Sequence, residues 1–418
     1  MRERRRVVVT GMGVVSPVGI GEKAMWQNII AGRHGIRPLS ALKPEEFKSK
    51  NGAEVDSVQF AAALSDRQIR PGDRAVDMAV LASAQALEAA GLLGAGEPVS
   101  QHIATIVGSG GGAAESVEEA YRRYAEGDLR GIRPTTVVRM INNSISSAVS
   151  IKFRLTGPNY IITSACTSAT NSIGVAMRMV RDGYAERVLC GGTEALFVRS
   201  LYGAWDKIGA MSVNPDPNSA CRPFDTRRDG FVMGEGAAML VVESREGAIA
   251  RGSAIRGEIC GYGESSDADH LTRPNQQGQV LAMQLALADA GISPVEVGFI
   301  NAHGTATEAN DECESQSIRQ VFGNAVDGIP VASNKSLFGH LMGAAGAMES
   351  IVTLMGLEER MVPANLNLDN PDPKCNLCFV PGAATAIPSQ IAIKNSFGFG
   401  GNNAVLVFRR HNQEKSCK

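Results

Sequence analysis

The chain has 418 residues, 44% of them apolar and 20% charged, with a formal net charge of −2. That is the composition of a soluble globular protein long enough for two core-sized units. It excludes a global field that would recruit nucleic acid or a membrane surface. No run of about twenty apolar residues is available for a membrane span, and eight cysteines without framework spacing point to a reducing, cytoplasmic setting.

Met1-Arg2-Glu3-Arg4-Arg5-Arg6 is basic, and the apolar run from Val7 is broken by Thr10, Gly11 and Gly13 before Ser16-Pro17. It is too short for a signal-peptide core and reads as a buried first strand, Val7-Val8-Val9. Asp73 to Ala90 has the pattern of a helix, with Asp73 as N-cap and Gly91 just past the end. Strands are expected at Ile103–Val107, Arg187–Cys190, Met239–Val242 and Gly298–Ile300, and a second long helix at Gln277–Ala290, stopped by Gly291. Such alternation argues for an α/β protein with parallel or mixed sheets covered by helices.

A weak repeat is visible. Gly234–Glu243 and Gly400–Arg409 are both Gly-rich turns feeding an apolar strand that ends in a charge. The repeat places a boundary near residue 250. It gives an N-terminal half over 1–250, a C-terminal half over 251–412, and a polar tail over 413–418.

Cys166 carries the strongest chemical signal. Tyr160-Ile161-Ile162 reads as a strand feeding a tight turn, with the thiol at the first turn of a helix of small residues. Unpaired N–H groups and the positive dipole end there stabilise a thiolate, so a low-pKa sulfur is expected. Cys190, Cys221, Cys260 and Cys313 read as small buried hydrophobes. Cys375 and Cys378 have half the spacing of a zinc site, with no second pair or nearby histidine, so no metal site is assigned. His303 follows a strand directly, where α/β folds place their sites. Its neighbour Gly304 permits close backbone approach, and Thr305 and Thr307 offer hydroxyls. His340 stands in a second glycine-rich turn, five residues after Lys335. Gly398-Phe399-Gly400-Gly401 reads as a flexible turn whose N–H groups can meet an oxyanion, with Phe399 a bulky gate between glycines. A thiol and two imidazoles suit thioester chemistry.

Together these segments resemble the elongating β-ketoacyl-acyl-carrier-protein synthases of the KAS I/II type, nearest KAS II, in the thiolase superfamily. The likeness runs nearly end to end. It includes Val9-Thr10-Gly11-Met12-Gly13, Ala165-Cys166-Thr167-Ser168, Arg222-Pro223-Phe224-Asp225, Asn301-Ala302-His303-Gly304-Thr305, Lys335-Ser336-Leu337-Phe338-Gly339-His340 and Asn395-Ser396-Phe397-Gly398-Phe399-Gly400-Gly401. The resemblance implies two similar halves stacked as five α-β-α-β-α layers, and a homodimer. It implies that Cys166 takes an acyl group from a carrier-protein thioester. Malonyl-acyl-carrier protein then loses CO2, and its carbanion attacks the acyl-enzyme to elongate a fatty-acid chain. By the same resemblance His303 and His340 stabilise charge on the malonyl thioester oxygen, and the N–H groups of Cys166 and Phe399 receive the acyl oxygen. Lys335 supports the histidines, Glu349 orders that lysine, and Thr305 and Thr307 touch the phosphopantetheine arm that the substrate carries; Gly398 and Gly400 flank the gate. No cofactor is required. Asn301, Glu349 and Asn395 are expected to hold a structural monovalent cation.

Departures from the family pattern qualify the pathway. Gly111, in the run Gly108–Gly112, stands where many KAS II enzymes carry isoleucine at the floor of the acyl pocket, and a deeper pocket is expected. Ala169-Thr170, Asn402 and the segment 306–312 look closer to specialised synthases of polyketide, aryl-polyene or nodulation-type lipids. An acidic carrier protein needs a basic rim, for which Arg67, Arg70, Arg74, Arg122, Arg123, Arg130 and Arg133 are the candidates. A coenzyme A thiolase would need a second catalytic cysteine in a matching loop. A non-catalytic chain-length-factor-like partner would lack the nucleophile. Neither fits these residues.

Overall fold

The computed structural model describes residues 4–93 and 101–411; the first three residues and the tail expected at 413–418 lie outside them. Ten strands build two matching five-stranded arrays of one continuous sheet, whose eleventh strand, Gly19–Ile20, pairs with the first. In the first half these are β1 (Val7–Ser16), β2 (Ala104–Gly108), β3 (Asn159–Ile162), β4 (Arg187–Glu194) and β5 (Gly236–Ser244). In the second they are β6 (Gly257–Ser266), β7 (Phe299–Asn301), β8 (Val331–Ala332), β9 (Ile391–Gly398) and β10 (Asn402–Arg409). The spatial orders are β3-β2-β4-β5-β1 and β8-β7-β9-β10-β6. The two orders are the same once the strands of each half are numbered in sequence. Directions match as well. β2 runs parallel to β3 and β4, as β7 does to β8 and β9. The last two neighbours in each half pair antiparallel. The halves meet along β1 and β6, where Val8 faces Glu258 and Val9 faces Gly257.

Each half also repeats its helices. α1 (Arg74–Ala89) and α2 (Ser144–Phe153) cover the outer face of the first sheet, and α4 (Gln276–Ala290) and α5 (Glu308–Phe322) cover that of the second. α3 (Ser168–Arg181) and α6 (Ala345–Glu359) pack on each other and on strands of both sheets. The five layers are therefore outer helices, sheet, central helices, sheet and outer helices. This is the thiolase-like architecture, with one apolar core around the central helices and one beneath each set of outer helices. α6 has no polar face, since every residue from Ala345 to Leu357 is buried. That is what a helix enclosed on all sides requires.

Local chemistry explains the main boundaries. The Asp73 side chain accepts from the Ala75 N–H at 3.1 Å and caps α1, and Asn275 caps α4 through Gln277 N–H at 2.9 Å. Gly291 ends α4 in the left-handed region, at φ +64°. β8 and β9 were not among the expected strands, and two others differ from expectation for a shared reason. β1 does not stop at Gly11 but runs to Ser16, and β6 was not among the expected strands because it holds Gly257, Gly261 and Gly263. Both exceptions have one cause. A Cβ on Gly11 or Gly13 would lie 2.1 or 2.0 Å from a carbonyl of α1. One on Gly261 or Gly263 would lie 2.4 or 2.2 Å from a carbonyl of α4. The glycines let a long helix lie directly on the sheet, and the repeat uses the device twice. No helix among the described residues is long and apolar enough to cross a membrane.

Candidate active site

The site forms where the parallel strands of both halves end. β3 leads to Cys166, β7 to His303, and β8 to Lys335, at the carboxyl ends where open α/β sheets place their ligands. The turn carrying Cys166 is sharp. Ala165 adopts φ +52°, a left-handed conformation uncommon for a residue with a side chain. Hydroxyls hold it there. Ser164 N–H donates to Ser168 Oγ at 2.9 Å, Ser168 Oγ–H to Ala165 O at 2.7 Å, and Thr167 Oγ–H to Ser164 O at 2.7 Å. The thiol is therefore not in the first turn of α3 but two residues ahead of it, with Thr167 at the N-cap.

Cys166 Sγ, His303 and His340 are all buried, and their reactive atoms lie within 4.8 Å of one another. His340 Nε2 is 3.1 Å from the sulfur. The tautomers follow from the opposite ring nitrogens. Lys335 Nζ lies 3.3 Å from His303 Nδ1, and an ammonium can only donate, so Nδ1 accepts and the ring proton sits on Nε2. Met342 N–H donates to His340 Nδ1 at 3.2 Å, which fixes the same tautomer there. Burial first, then the Lys335 charge, pushes both rings well below the ordinary histidine range of 6.5, so both are neutral. Two uncharged N–H donors thus face one sulfur. That is a face for stabilising an oxygen anion and not one for ligating a metal.

The sulfur itself departs from the expected thiolate. Burial pushes Cys166 up to about 11, against the pull of Lys335 and of the Phe399 N–H aimed at it. The resting group is a thiol. Gly398 lies over its backbone, where an added Cβ would stand 3.1 Å from Cys166 N. Phe399 stacks on Trp205 with ring centroids 5.7 Å apart. Gly400 and Gly401, at φ +81° and +75°, let the following chain turn back, and Gly400 N–H donates to Leu271 O at 2.7 Å.

Behind the histidines, Lys335 is fully buried and donates to His303 O at 2.6 Å and to Glu349 Oε1. Glu314, which sequence reasoning missed, accepts the N–H groups of His303 and Gly304 at 2.8 Å each. Glu194, also missed, accepts from Gly110 at 2.7 Å and from Gly111 and Gly343 at 2.9 Å. It thereby ties the Gly108–Gly112 loop to the turn after His340. Neither glutamate sits in a recognisable local motif: Glu194 is carried to loops 83 to 149 residues away, and Glu314 folds back on a turn 10 and 11 residues before it. The third unforeseen residue, the buried Lys394, lies 3.1 Å from Glu349 Oε2.

A cavity opens from the sulfur. Cys166, His303, His340, Thr305, Thr307, Gly398 and Phe399 line it, with Met342 and Trp205, and Thr305 and Thr307 share a hydroxyl bond of 2.8 Å. Gly111 and Gly400 do not line it. Gly111 opens on a neighbouring groove, and Leu196 fills the space beside it, 2.3 Å from where a Cβ would stand. The mouth is formed by Ile208, Ala210 and the segment from Leu271 to Pro274. The arginines expected at its rim are elsewhere, and several are paired: Arg67 with Glu88, Arg74 with buried Glu235, Arg122 with Glu119 and Glu126, and Arg123 with Glu119 and Asp128. Arg273, 3.7 Å from Asp269, lines the opening, and the exposed Lys207 precedes its Ile208 in sequence.

The three residues expected to hold a monovalent cation each keep a buried oxygen without a hydrogen bond, Asn301 Oδ1, Glu349 Oε2 and Asn395 Oδ1. Asn301 and Lys394 are register partners on β7 and β9, so their side chains share a face, and strand alternation turns Asn395 to the other. Asn395 Nδ2 indeed reaches Glu314 at 3.2 Å, while Asn301 Nδ2 reaches Thr353 at 2.9 Å. Asn301 thus lies beside Glu349 while Asn395 is directed away from it, and Glu349 stands between two ammonium groups.

Residues 4–248 match the family model described as the beta-ketoacyl synthase N-terminal domain, and 256–369 match the C-terminal domain. The chain is 39% identical to a 3-oxoacyl-[acyl-carrier-protein] synthase 2 of Synechocystis over 98% of its own length and 99% of the relative's. It is 40% identical, with the same coverage, to that of Coxiella burnetii. A beta-ketoacyl synthase from Burkholderia phymatum superposes with a TM-score of 0.90 at 34% identity, covering 98% of this chain and 100% of that one. A type II PKS ketosynthase solved with its acyl-carrier protein and bound to a hexaketide gives 0.88 at 32%, with the same coverage.

Nitrogen-15 spectra of labelled histidine should show His303 and His340 still as neutral Nε2–H tautomers as the pH falls through the ordinary histidine value of 6.5. In Lys335→Met the His303 signal should lose that fixed tautomer. Protonation of either ring near 6.5, or an Nδ1–H form in the unaltered protein, would contradict the assignment.

Proposed function

The chain belongs to the beta-ketoacyl synthase family, and on that premise we propose that it is a 3-oxoacyl-[acyl-carrier-protein] synthase that elongates fatty-acyl chains with malonyl-acyl-carrier protein. The observation that carries the mechanism is the pair of neutral Nε2–H groups facing Cys166. In the first half-reaction Sγ attacks the acyl thioester carbonyl. The Cys166 and Phe399 N–H groups meet the developing oxyanion, and the S–H proton leaves with the pantetheine thiol. Thioester exchanges for thioester with no net proton change, so a resting thiol is a competent starting point. In the second, the malonyl C–C bond breaks, CO2 departs, and the electron pair spreads onto the thioester oxygen held by His303 and His340. The carbanion attacks the acyl carbonyl and the Cys166 sulfur leaves, regaining a proton. Neutral donors suit this step, because a charged imidazolium would protonate the carbanion it stabilises. Lys335, Glu349 and Glu314 hold the rings. Thr305 and Thr307 line the wall along which a phosphopantetheine arm enters.

An acidic carrier protein fits the opening through Lys207 and Arg273. A second copy of the chain fits β3. That strand ends its sheet, so one edge of its backbone is open; Tyr160 on it and Ile151 on α2, which packs beside it, are exposed. We read this as the face of a homodimer.

Cys166→Gln should abolish condensation yet retain release of CO2 from malonyl-acyl-carrier protein; loss of both would remove the assigned division of labour. Lys207→Glu with Arg273→Glu should raise KM for the carrier-bound substrate about tenfold, leaving turnover of a small malonyl thioester unchanged. Equal losses on both substrates would sink the docking assignment. Sedimentation should give twice the chain mass, and Tyr160→Lys with Ile151→Lys should give monomer; an unaltered protein that sediments as one chain would refute the dimer.

A further inference from the structure

Lys394 is the buried charge that the condensation does not use. It sits on β9 with no exposed surface, one strand from the residue preceding the His303 turn. Its Nζ donates to Thr170 Oγ1 at 2.8 Å and to Ser396 Oγ, and faces Glu349 Oε2 across 3.1 Å. The two hydroxyls take two of its N–H directions, and the Glu349 oxygen is held by ion pairing without a hydrogen bond. Glu349 thereby stands between two ammonium groups, Lys335 on one oxygen and Lys394 on the other. Lys335 continues to His303, at the backbone oxygen and at Nδ1. A single relay therefore runs from Lys394 through Glu349 and Lys335 to the ring that must present its Nε2–H.

We propose that the Lys394 ammonium takes the place of a structural monovalent cation beside Glu349, so that this protein carries its cation covalently and acts without a bound Na+ or K+. This deepens the ketosynthase reading by naming a positioning residue for its histidine site. Three observations carry it. The carboxylate oxygen that a metal ion would need is already opposite an ammonium. The two hydroxyls beside it, on α3 and β9, are likewise taken. The side chain of Asn395 is directed to the other face of the sheet, towards Glu314 and the Met283 sulfur. On the lysine's face the oxygens without a hydrogen bond are Asn301 Oδ1, which is neutral, and Glu349 Oε2, which the ammonium already neutralises; the third, Asn395 Oδ1, belongs to the side chain on the other face. A further cation there would lie beside two buried ammonium groups, in an interior that screens like charges poorly.

The test needs no carrier protein and no turnover, so its failure is distinct from a failure of the ketosynthase reading. Thermal unfolding of the unaltered protein is followed in choline, sodium and potassium chloride at equal ionic strength, and crystals are soaked in rubidium chloride. The expected result is one Tm in all three salts and no anomalous rubidium peak beside Glu349. Lys394→Asn, which replaces the ammonium by a neutral oxygen donor, should unfold several degrees lower in choline. It should recover saturably with potassium or sodium, and show the rubidium peak. Condensation by the variant should follow the same cation dependence, a rescue that mere loss of packing would not give. A rubidium peak at Glu349 in the unaltered protein, or a saturable rise of its Tm with potassium, overturns the proposal. So does a Lys394→Asn protein with undiminished Tm and no cation response. If that variant does not fold, the two measurements on the unaltered protein decide alone.

Discussion

Everything at this site depends on which ring nitrogen carries the proton, and that is decided from behind. An ammonium has no lone pair, so Lys335 beside His303 Nδ1 permits one neutral tautomer, with its N–H turned to the cavity. The Met342 N–H imposes the same choice on His340. A lysine can be used this way only where it is buried, and a buried ammonium must be paired. Glu349 is that pair. Removing one member of such a pair typically costs about 3–5 kcal/mol, because the other charge is left uncompensated. The central helix α6, which carries Glu349, is therefore fixed by the chemistry as much as by its apolar contacts.

The two-fold repeat is what makes the meeting possible. Each half alone has a sheet whose parallel strands end at one rim, and one helix that must be buried on both sides. Stacking the halves on α3 and α6 encloses those helices and brings the two rims together. The nucleophile comes from one rim and both histidines from the other. Close approach of the layers needs glycine at defined points. A Cβ on Gly346 would stand 2.1 Å from Thr170 Oγ1 at the contact of the central helices, and one on Gly108 would stand 2.4 Å from Ala169 N.

Burial sets the charge state of each reacting group. It holds the imidazoles neutral and the thiol protonated, so the positive ends of the site are confined to lysines that cannot reach the substrate. A carbanion formed in such a place meets N–H dipoles on the rings and no acidic imidazolium. The carboxylates that position the loops, Glu194 and Glu314, are themselves held by backbone N–H groups, so each loop is fixed by a neutral donor array around one buried acid.

The sequence alone determined what depends on short-range pattern. The Asp73 cap, the Gly91 and Gly291 stops, the strand into Cys166 and the strand into His303 are all set by neighbours a few residues away. The likeness of Gly234–Glu243 to Gly400–Arg409 already announced the repeat, because both are the fifth strand of a half. The motifs around Cys166, His303, Lys335 and His340 marked the chemistry. Tertiary structure decided the rest. β6 and the length of β1 were hidden because their glycines look like breaks until a helix is seen lying on them. The thiol was read as anionic from its position before a helix, whereas desolvation by the assembled site outweighs that local dipole. Gly111 was assigned to the catalytic cavity by position along the chain, but Leu196 stands beside it. Glu194 acquires its role only when folding brings it to Gly110 and Gly343, 84 and 149 residues away, Glu314 when its helix is laid back across the His303 turn, and Lys394 when its strand meets the helix carrying Glu349. Electrostatics acts through space, and no local spacing in a chain records which buried charges will come to face each other.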